Sequence, residues 1–247
     1  MLAAFSMKPS PTPFNPFPYK PPTTPNKQSY LTYLVGDSNI ESLGANANEL
    51  RLKLIEYYPT KEFVNYNYGF GSTNILSLPD RLNTETTYKN SKFPPILKQG
   101  FDLIIIESFA YNPLSEYQLQ EGLKKHNEIL DQSILQIIKA NPNAVIAFMT
   151  PLAPNSKSYA KGIYDLSAEK RLEWVTERKA YIQNHIDYAK KNNIPLINVY
   201  EKSLDANGDG NLRYINKDDN IHPSNEGITL MTQTIADFIY NNNIFPK

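Results

Sequence analysis

Five short β-prone runs, each followed by a stretch of helical periodicity, constrain this chain more than any other feature. They are Leu31-Thr-Tyr-Leu-Val35, Glu62-Phe-Val-Asn-Tyr-Asn67, Phe101-Asp-Leu-Ile-Ile-Ile106, Ala144-Val-Ile-Ala-Phe-Met149 and Pro195-Leu-Ile-Asn-Val199. The third is almost continuously apolar, as a parallel strand covered on both faces must be. Strands that alternate with helices build βαβ units, so an α/β fold with a mostly parallel sheet is predicted. Leu43, Ala47, Leu50, Leu54 and Tyr57 recur at helical spacing until Pro59. Leu119, Leu123, Leu130, Ile134 and Ile137 form the stripe of a long helix, with Ser115 and Gln118 placed as a capping box. Leu172, Val175, Ile182, Ile186 and Ala189 mark a helix over about 168–191, and Ser224 is placed to cap a last helix. Residues 152–166 are irregular and polar, and read as a rim or lid.

Composition narrows the classes. A chain of 247 residues suffices for one large domain. Its 25 acidic and 25 basic residues leave no basic excess, which argues against a nucleic-acid or anionic-membrane partner. The absence of cysteine excludes disulfides, thiolate metal sites and cysteine nucleophiles. No apolar run approaches the ~18 residues of a membrane span. Met1–Met7 is too short for a complete signal peptide and reads as the remnant of a trimmed export or anchor segment. The prolines that follow favour an extended arm or spacer, so residues 1–28 are taken as an arm or linker and 29–247 as the domain. These features lean toward a secreted or envelope-tethered protein over a cytoplasmic one, and leave the oligomeric state open.

In open parallel sheets ligands bind beyond the carboxyl ends of the strands, so chemistry is expected in the turns that follow them. Those turns carry Gly36-Asp37-Ser38, Gly69-Phe-Gly71-Ser-Thr73 and Ala110-Tyr-Asn112, and Asp219-Asn-Ile-His222-Pro223 precedes the last helix. A serine hydroxyl needs a base, and the base needs an acceptor that fixes its tautomer. Of three histidines, His126 falls on a helical stripe and His185 lies amid polar helical neighbours, where an exposed position is expected. His222 alone sits in a loop beside carboxylates, although a helix-entry turn also explains Asp219 and Pro223.

Together these blocks resemble the SGNH/GDSL hydrolase superfamily over nearly all of residues 31–240, in order and in strand-end placement. The resemblance implies a three-layer α/β/α sandwich with a five-stranded, mostly parallel sheet. It implies Ser38 as nucleophile, His222 as base and Asp219 as the orienting acid. It also implies an oxyanion hole made by the Ser38 and Gly71 N–H groups and the Asn112 side-chain amide, with no cofactor required. Asp37 is left as turn-builder and helix-entry residue. The third block departs from the family's Gly-x-Asn-Asp pattern: Phe109-Ala-Tyr-Asn112-Pro113 displaces the small residue, lacks the Asp and adds one residue.

Upstream, Asp205, Asn207, Asp209 and Asn211 alternate with a glycine in sixth place, as in the first half of a calcium loop. The twelfth position is the neutral Asn216, and an Asn-Gly, Asp-Gly turn explains the same residues. The expected activity is carboxylic ester hydrolysis through an acyl-enzyme, on O-acylated glycans or short-acyl esters, with Tyr159 and Tyr164 as candidates to face a sugar. A lipase-type esterase, an acyltransferase to a sugar hydroxyl and a non-catalytic glycan-binding domain are the alternatives.

Overall fold

The computed structural model describes residues 16–247. Met1–Met7 and the first prolines lie outside the described residues. The strands are β1 (Ser29–Gly36), β2 (Glu62–Gly69), β3 (Thr86–Tyr88), β4 (Ser91–Phe93), β5 (Leu103–Glu107), β6 (Val145–Met149) and β7 (Leu196–Ile197). The helices are α1 (Ser38–Glu41), α2 (Asn48–Tyr57), α3 (Leu78–Asn83), α4 (Leu119–Ala140), α5 (Ala168–Asn192), α6 (Val199–Lys202) and α7 (Asn225–Asn241).

Five strands pair in parallel in the order β2-β1-β5-β6-β7. Alternation along each strand divides the core into two layers. Tyr33, Val35, Ile104, Ile106, Ile146 and Phe148 pack with α3, α4 and α5 on one face. Tyr30, Leu34, Leu103, Ile105, Ala147 and Met149 pack with α1, α2 and α7 on the other. The predicted α/β/α sandwich is therefore present. From β1 the chain moves outward to β2 and then returns past β1 to β5, so the crevice of a doubly wound sheet opens at the carboxyl ends of β1 and β5. Ser38 and Asn112 follow those two strands.

Local differences from the expected elements have physical causes. The helix expected after Ser38 is broken, because Gly44 (φ +79°) and Ala47 (φ +42°) take left-handed conformations between α1 and α2. The last sheet strand has two residues, since Asn198 already caps α6 by accepting the Glu201 N–H. The capping box is absent: Ser115 Oγ donates to Glu177 instead, and Gln118 makes no side-chain cap. Leu119 and Leu172 are exposed rather than buried. Leu152, Ala153, Tyr159 and Ala160 are buried, so much of the first part of the expected rim belongs to the core, while Lys157 and 161–165 are exposed. The antiparallel β3–β4 hairpin was not foreseen; Lys89 and Asn90, both at positive φ, make its two-residue turn.

The described part of the proline-rich arm is anchored on the domain through Tyr19 and Thr24, both buried. The Tyr19 hydroxyl accepts from Ile146 N–H (2.9 Å), its backbone N–H donates to Asn192 O (2.8 Å), and Phe17 meets Tyr188 edge-on. Lys27 pairs with Asp102 at 2.5 Å. These partners start β5 and β6 or end α5, so residues 17–28 line the amino edge of the sheet, opposite Ser38.

Candidate active site

Ser38 opens α1, and Asp37 caps it. Asp37 Oδ1 accepts from Asn39 N–H (2.9 Å) and Asn39 Nδ2 (3.3 Å), while Oδ2 accepts from Asn112 Nδ2 (3.1 Å). The expected helix-entry role of Asp37 holds, and it extends to the Asn112 amide. Since α1 is a single turn, its dipole contributes little at Ser38. Close approach of backbone places the serine instead. A Cβ on Gly69 would fall 2.2 Å from the Glu41 nitrogen and 2.6 Å from the Ile40 carbonyl carbon, and one on Gly36 would fall 2.5 Å from Ile40 Cγ1.

Gly71 stands beside the nucleophile, where an added Cβ would lie 3.5 Å from Ser38 Cβ. Its N–H is engaged: it donates to Glu41 Oε2 (3.1 Å) and to the Tyr88 hydroxyl (2.8 Å) from the hairpin. Tyr88 donates to the same carboxylate oxygen, and Lys89 pairs with its other oxygen. Burial opposes ionisation of Glu41, but these bonds from Lys89, Tyr88 and Gly71 outweigh it and hold the carboxyl below the ordinary range. Tyr88 and Glu41 were missed in the sequence because the hairpin that joins them to Gly71 was missed.

His222 and Asp219 form the expected pair. Asp219 Oδ2 meets His222 Nδ1 at 2.8 Å, and Oδ1 accepts the N–H groups of Ile221 (2.8 Å) and His222 (2.9 Å). A carboxylate only accepts, so the proton sits on Nδ1 and leaves Nε2 free as a base. Partial burial raises the Asp219 carboxyl, yet the bonds from Ile221 and His222 prevail and hold it below its ordinary value. The imidazole side chain is 40% exposed. Ile221 packs into a small cluster with Tyr111 and Tyr159, which seats this turn against the loop after β5. Among the described residues Ser38 Oγ has no hydrogen bond in this conformation; serine–base contacts often tighten only with substrate.

The irregular third block is accommodated by Phe109 at φ +55°, whose N–H donates to Glu107 Oε2 at 2.9 Å. The extra residue closes a turn from Asn112 N–H to Phe109 O (3.0 Å), and this swings the Asn112 amide onto Asp37. His126, buried, donates from Nε2 to Ser108 O at 2.9 Å; burial pulls its pKa down to about 4. His185 is also buried, contrary to expectation. It stacks on Phe148 and reaches Ile106 O at 3.3 Å, because its helix packs flat on the sheet at that point. Tyr159, a candidate to face a sugar, is buried, and its hydroxyl accepts from Arg178 Nε at 2.6 Å. Tyr164 is exposed and meets Trp174 edge-on.

Arg81 was also missed. It is buried between Phe70 and Phe109, 4.3 and 5.2 Å from their ring centres. Leu78, Arg81 and Leu82 share an inward helical spacing, the one signal that could have found it.

Three of the calcium-loop residues, Asp205, Asp209 and Asn211, turn side-chain oxygens to partners in the chain itself. Asp205 Oδ1 accepts the N–H groups of Asn207 and Asp209, and Asn211 Oδ1 caps the next turn through Arg213 N–H. The Asp209 carboxylate accepts from Ser156 N–H and Oγ and pairs with Lys179 at 3.0 Å. With its charge balanced and its oxygens occupied, this arrangement fits a hairpin turn and does not fit a calcium cage. Among the described residues no group of three or more His, Cys, Asp or Glu side chains is placed to hold a metal.

Compared with models of known protein families the chain matches none, and no curated protein is similar to it in sequence. Solved structures are similar in fold. A gut microbial diltiazem-metabolizing enzyme shares 14% identity over 88% of this chain with a TM-score of 0.63; the match covers 48% of that protein, so this chain spans about half its length. A protein described as a GDSL-like lipase from Parabacteroides merdae shares 16% identity over 91% of this chain and 100% of its own, with a TM-score of 0.63. The acetylxylan esterase Axe2 from Geobacillus stearothermophilus shares 14% identity over 85% of this chain and 94% of its own, with a TM-score of 0.54. The fold is the one these GDSL-type structures share.

Proposed function

We propose that this chain is a serine esterase of the SGNH/GDSL type, acting on short-acyl esters, including O-acylated glycans, through an acyl-enzyme. The observation that carries this reading is the Asp219–His222 pair, with Nε2 left basic, at the sheet edge that also carries Ser38. Ser38 Oγ attacks the ester carbonyl as His222 Nε2 takes its proton. The alcohol leaves with that proton; water then attacks the acyl-enzyme, gives its proton to His222 and releases the acid and Ser38. The developing oxyanion is met by the Ser38 N–H and the second N–H of the Asn112 amide, with Gly71 N–H joining once both Glu41 and Tyr88 release it. One such donor is worth roughly 3–4 kcal/mol of barrier. No cofactor takes part.

The half-open imidazole gives water access to the acyl-enzyme, which favours hydrolysis over transfer. The exposed Tyr164, edge-on to the half-buried Trp174, and the fold shared with an acetylxylan esterase support a glycan alcohol. Hydrolysis of p-nitrophenyl acetate, longer p-nitrophenyl esters and acetylated xylan by wild type and Ser38→Ala tests the reading. Activity falling with acyl length and lost in Ser38→Ala is expected. Equal turnover by both proteins, or none by wild type on any ester, refutes it.

A further inference from the structure

Beneath the loops that carry Ser38, Gly71 and Asn112 lies a buried charge cluster of Arg81, Asp37 and Glu107, each at most 1% exposed. Arg81 Nη1 donates to Gly36 O and Tyr68 O, both at 2.6 Å, and Nη2 to Ser77 Oγ (2.8 Å) and to Thr73 Oγ1. One guanidinium thereby ties the ends of β1 and β2 to the loop that follows β2. Glu107 Oε2 accepts from Phe109 N–H and, at 3.5 Å, from Asp37 N–H, which links the nucleophile turn to the loop of Asn112.

One cation shares this buried cluster with two carboxyls, so charge balance leaves one ionised and one protonated. The hydrogen bonds favour Asp37 as the ionised one. It meets three N–H donors at 2.9–3.3 Å, whereas Glu107 meets the Phe109 N–H at 2.9 Å, the Ser108 hydroxyl at 2.7 Å and the Asp37 N–H only at 3.5 Å. Burial raises both carboxyls, Glu107 the further; the hydrogen bonds from Asn39 and Asn112, and after them the Arg81 charge, draw Asp37 back down. The Asp37 charge in turn acts on two phenols, Tyr111 and Tyr159; burial raises both, Tyr159 to about 12, so they stay neutral.

We propose that Arg81 is a positioning residue for the oxyanion site: its charge keeps Asp37 ionised, and ionised Asp37 holds the Asn112 amide by its NH2 end. A protonated Asp37 donates to the Asn112 carbonyl instead, and the amide turns over. The inference rests on the reading of Asn112 as an oxyanion donor.

The test is Arg81→Met, Arg81→Lys and Glu107→Gln, with Arg81→Met also placed in an Asn112→Ala background. Arg81→Met is expected to lower kcat about 10²–10³-fold with little change in KM, the loss of one donor, and to regain activity as rising pH ionises Asp37. Arg81→Lys keeps the wild-type pH profile. In Asn112→Ala, adding Arg81→Met costs less than about threefold more, because both act through one amide. An additive loss, or an Arg81→Met profile parallel to wild type, overturns the proposal. Glu107→Gln replaces a group already neutral, so it folds and keeps the wild-type pH profile; a shifted profile overturns the charge assignment even if Arg81→Met fails to fold. Side-chain amide NMR of Asn112 needs no substrate. Its resonances are expected to stay fixed in wild type over about pH 5–9 and to titrate in Arg81→Met. If wild type proves inert toward esters, the hydrolase reading fails while this measurement still decides the role of Arg81.

Discussion

Gly69 and Gly71 are two residues apart, and the structure predicts opposite consequences for adding one methyl to each. Neither has positive φ, so the effect of alanine is steric rather than conformational. At Gly69 the new Cβ meets backbone, 2.2 Å from the Glu41 nitrogen and 2.6 Å from the Ile40 carbonyl carbon. That is ~1 Å or more inside ordinary contact, and backbone cannot swing aside. Helix α1 must lift from the end of β2, taking Ser38 with it. Overpacking of this kind costs about 1–3 kcal/mol, or ~2–12 °C in Tm for a domain of this size. A nucleophile displaced by ~1 Å loses about 10²-fold in kcat. At Gly71 the nearest atoms are side-chain ends, Glu41 Oε2 at 2.7 Å and the Tyr88 hydroxyl at 3.0 Å, and both can give way. Gly71→Ala is therefore expected to leave Tm within ~2 °C, helped by the lower entropy of its unfolded chain. Thermal unfolding followed by circular dichroism, with p-nitrophenyl acetate hydrolysis on the same preparations, separates the two. Gly69→Ala with wild-type Tm and kcat, or Gly71→Ala melting lower than Gly69→Ala, refutes the steric account.

Further outcomes follow from the same geometry. Asp219→Asn should keep the fold but lose the acceptor that fixes His222, lowering kcat on the order of 10³–10⁴-fold; a loss under tenfold would remove Asp219 from the proposed mechanism. Burial holds His126 neutral down to about 4, so below its unfolded value of 6.5 the unfolded chain binds more protons than the folded one. The His126 contribution to stability should fall between pH 6.5 and 4 by up to ~1.4 kcal/mol per pH unit, on top of a fall of the same sign from buried His185, and urea titrations of His126→Asn should show a shallower fall. Tyr19→Phe should cost about 1–2 kcal/mol by orphaning Ile146 N–H while esterase activity stays at wild-type level, since Tyr19 lies at the far edge of the sheet. A chelator is expected to change neither activity nor melting temperature; a drop in both would restore the calcium loop at Asp205–Asn211.

The fold was legible where burial forces a pattern. The run at Phe101–Ile106 had to be a central parallel strand, and the turns after strands had to hold the chemistry. Asp219 and His222 were legible too, because three residues of sequence close their hydrogen bonds locally. What stayed hidden depends on contacts between distant segments. Arg81 looks like a surface residue until Gly36 O and Tyr68 O converge on it from two strands. His185 reads as polar in its own helix, and only the packing of α5 against β6 buries it on Phe148. The engagement of the Gly71 N–H needed Glu41 and Tyr88 from either side of it in the chain, 30 and 17 residues away.

The packed arm has a practical meaning for anyone handling the protein. Phe17 enters against Tyr188, and at the other end Phe245 stacks on Tyr30 at the start of β1, with ring centres 4.3 Å apart. Both ends of the described body thus lie at the amino edge of the sheet, opposite Ser38. A surface linkage placed at Phe17 or Phe245 would therefore hold the protein by the edge away from the crevice and leave the Ser38 side facing outward.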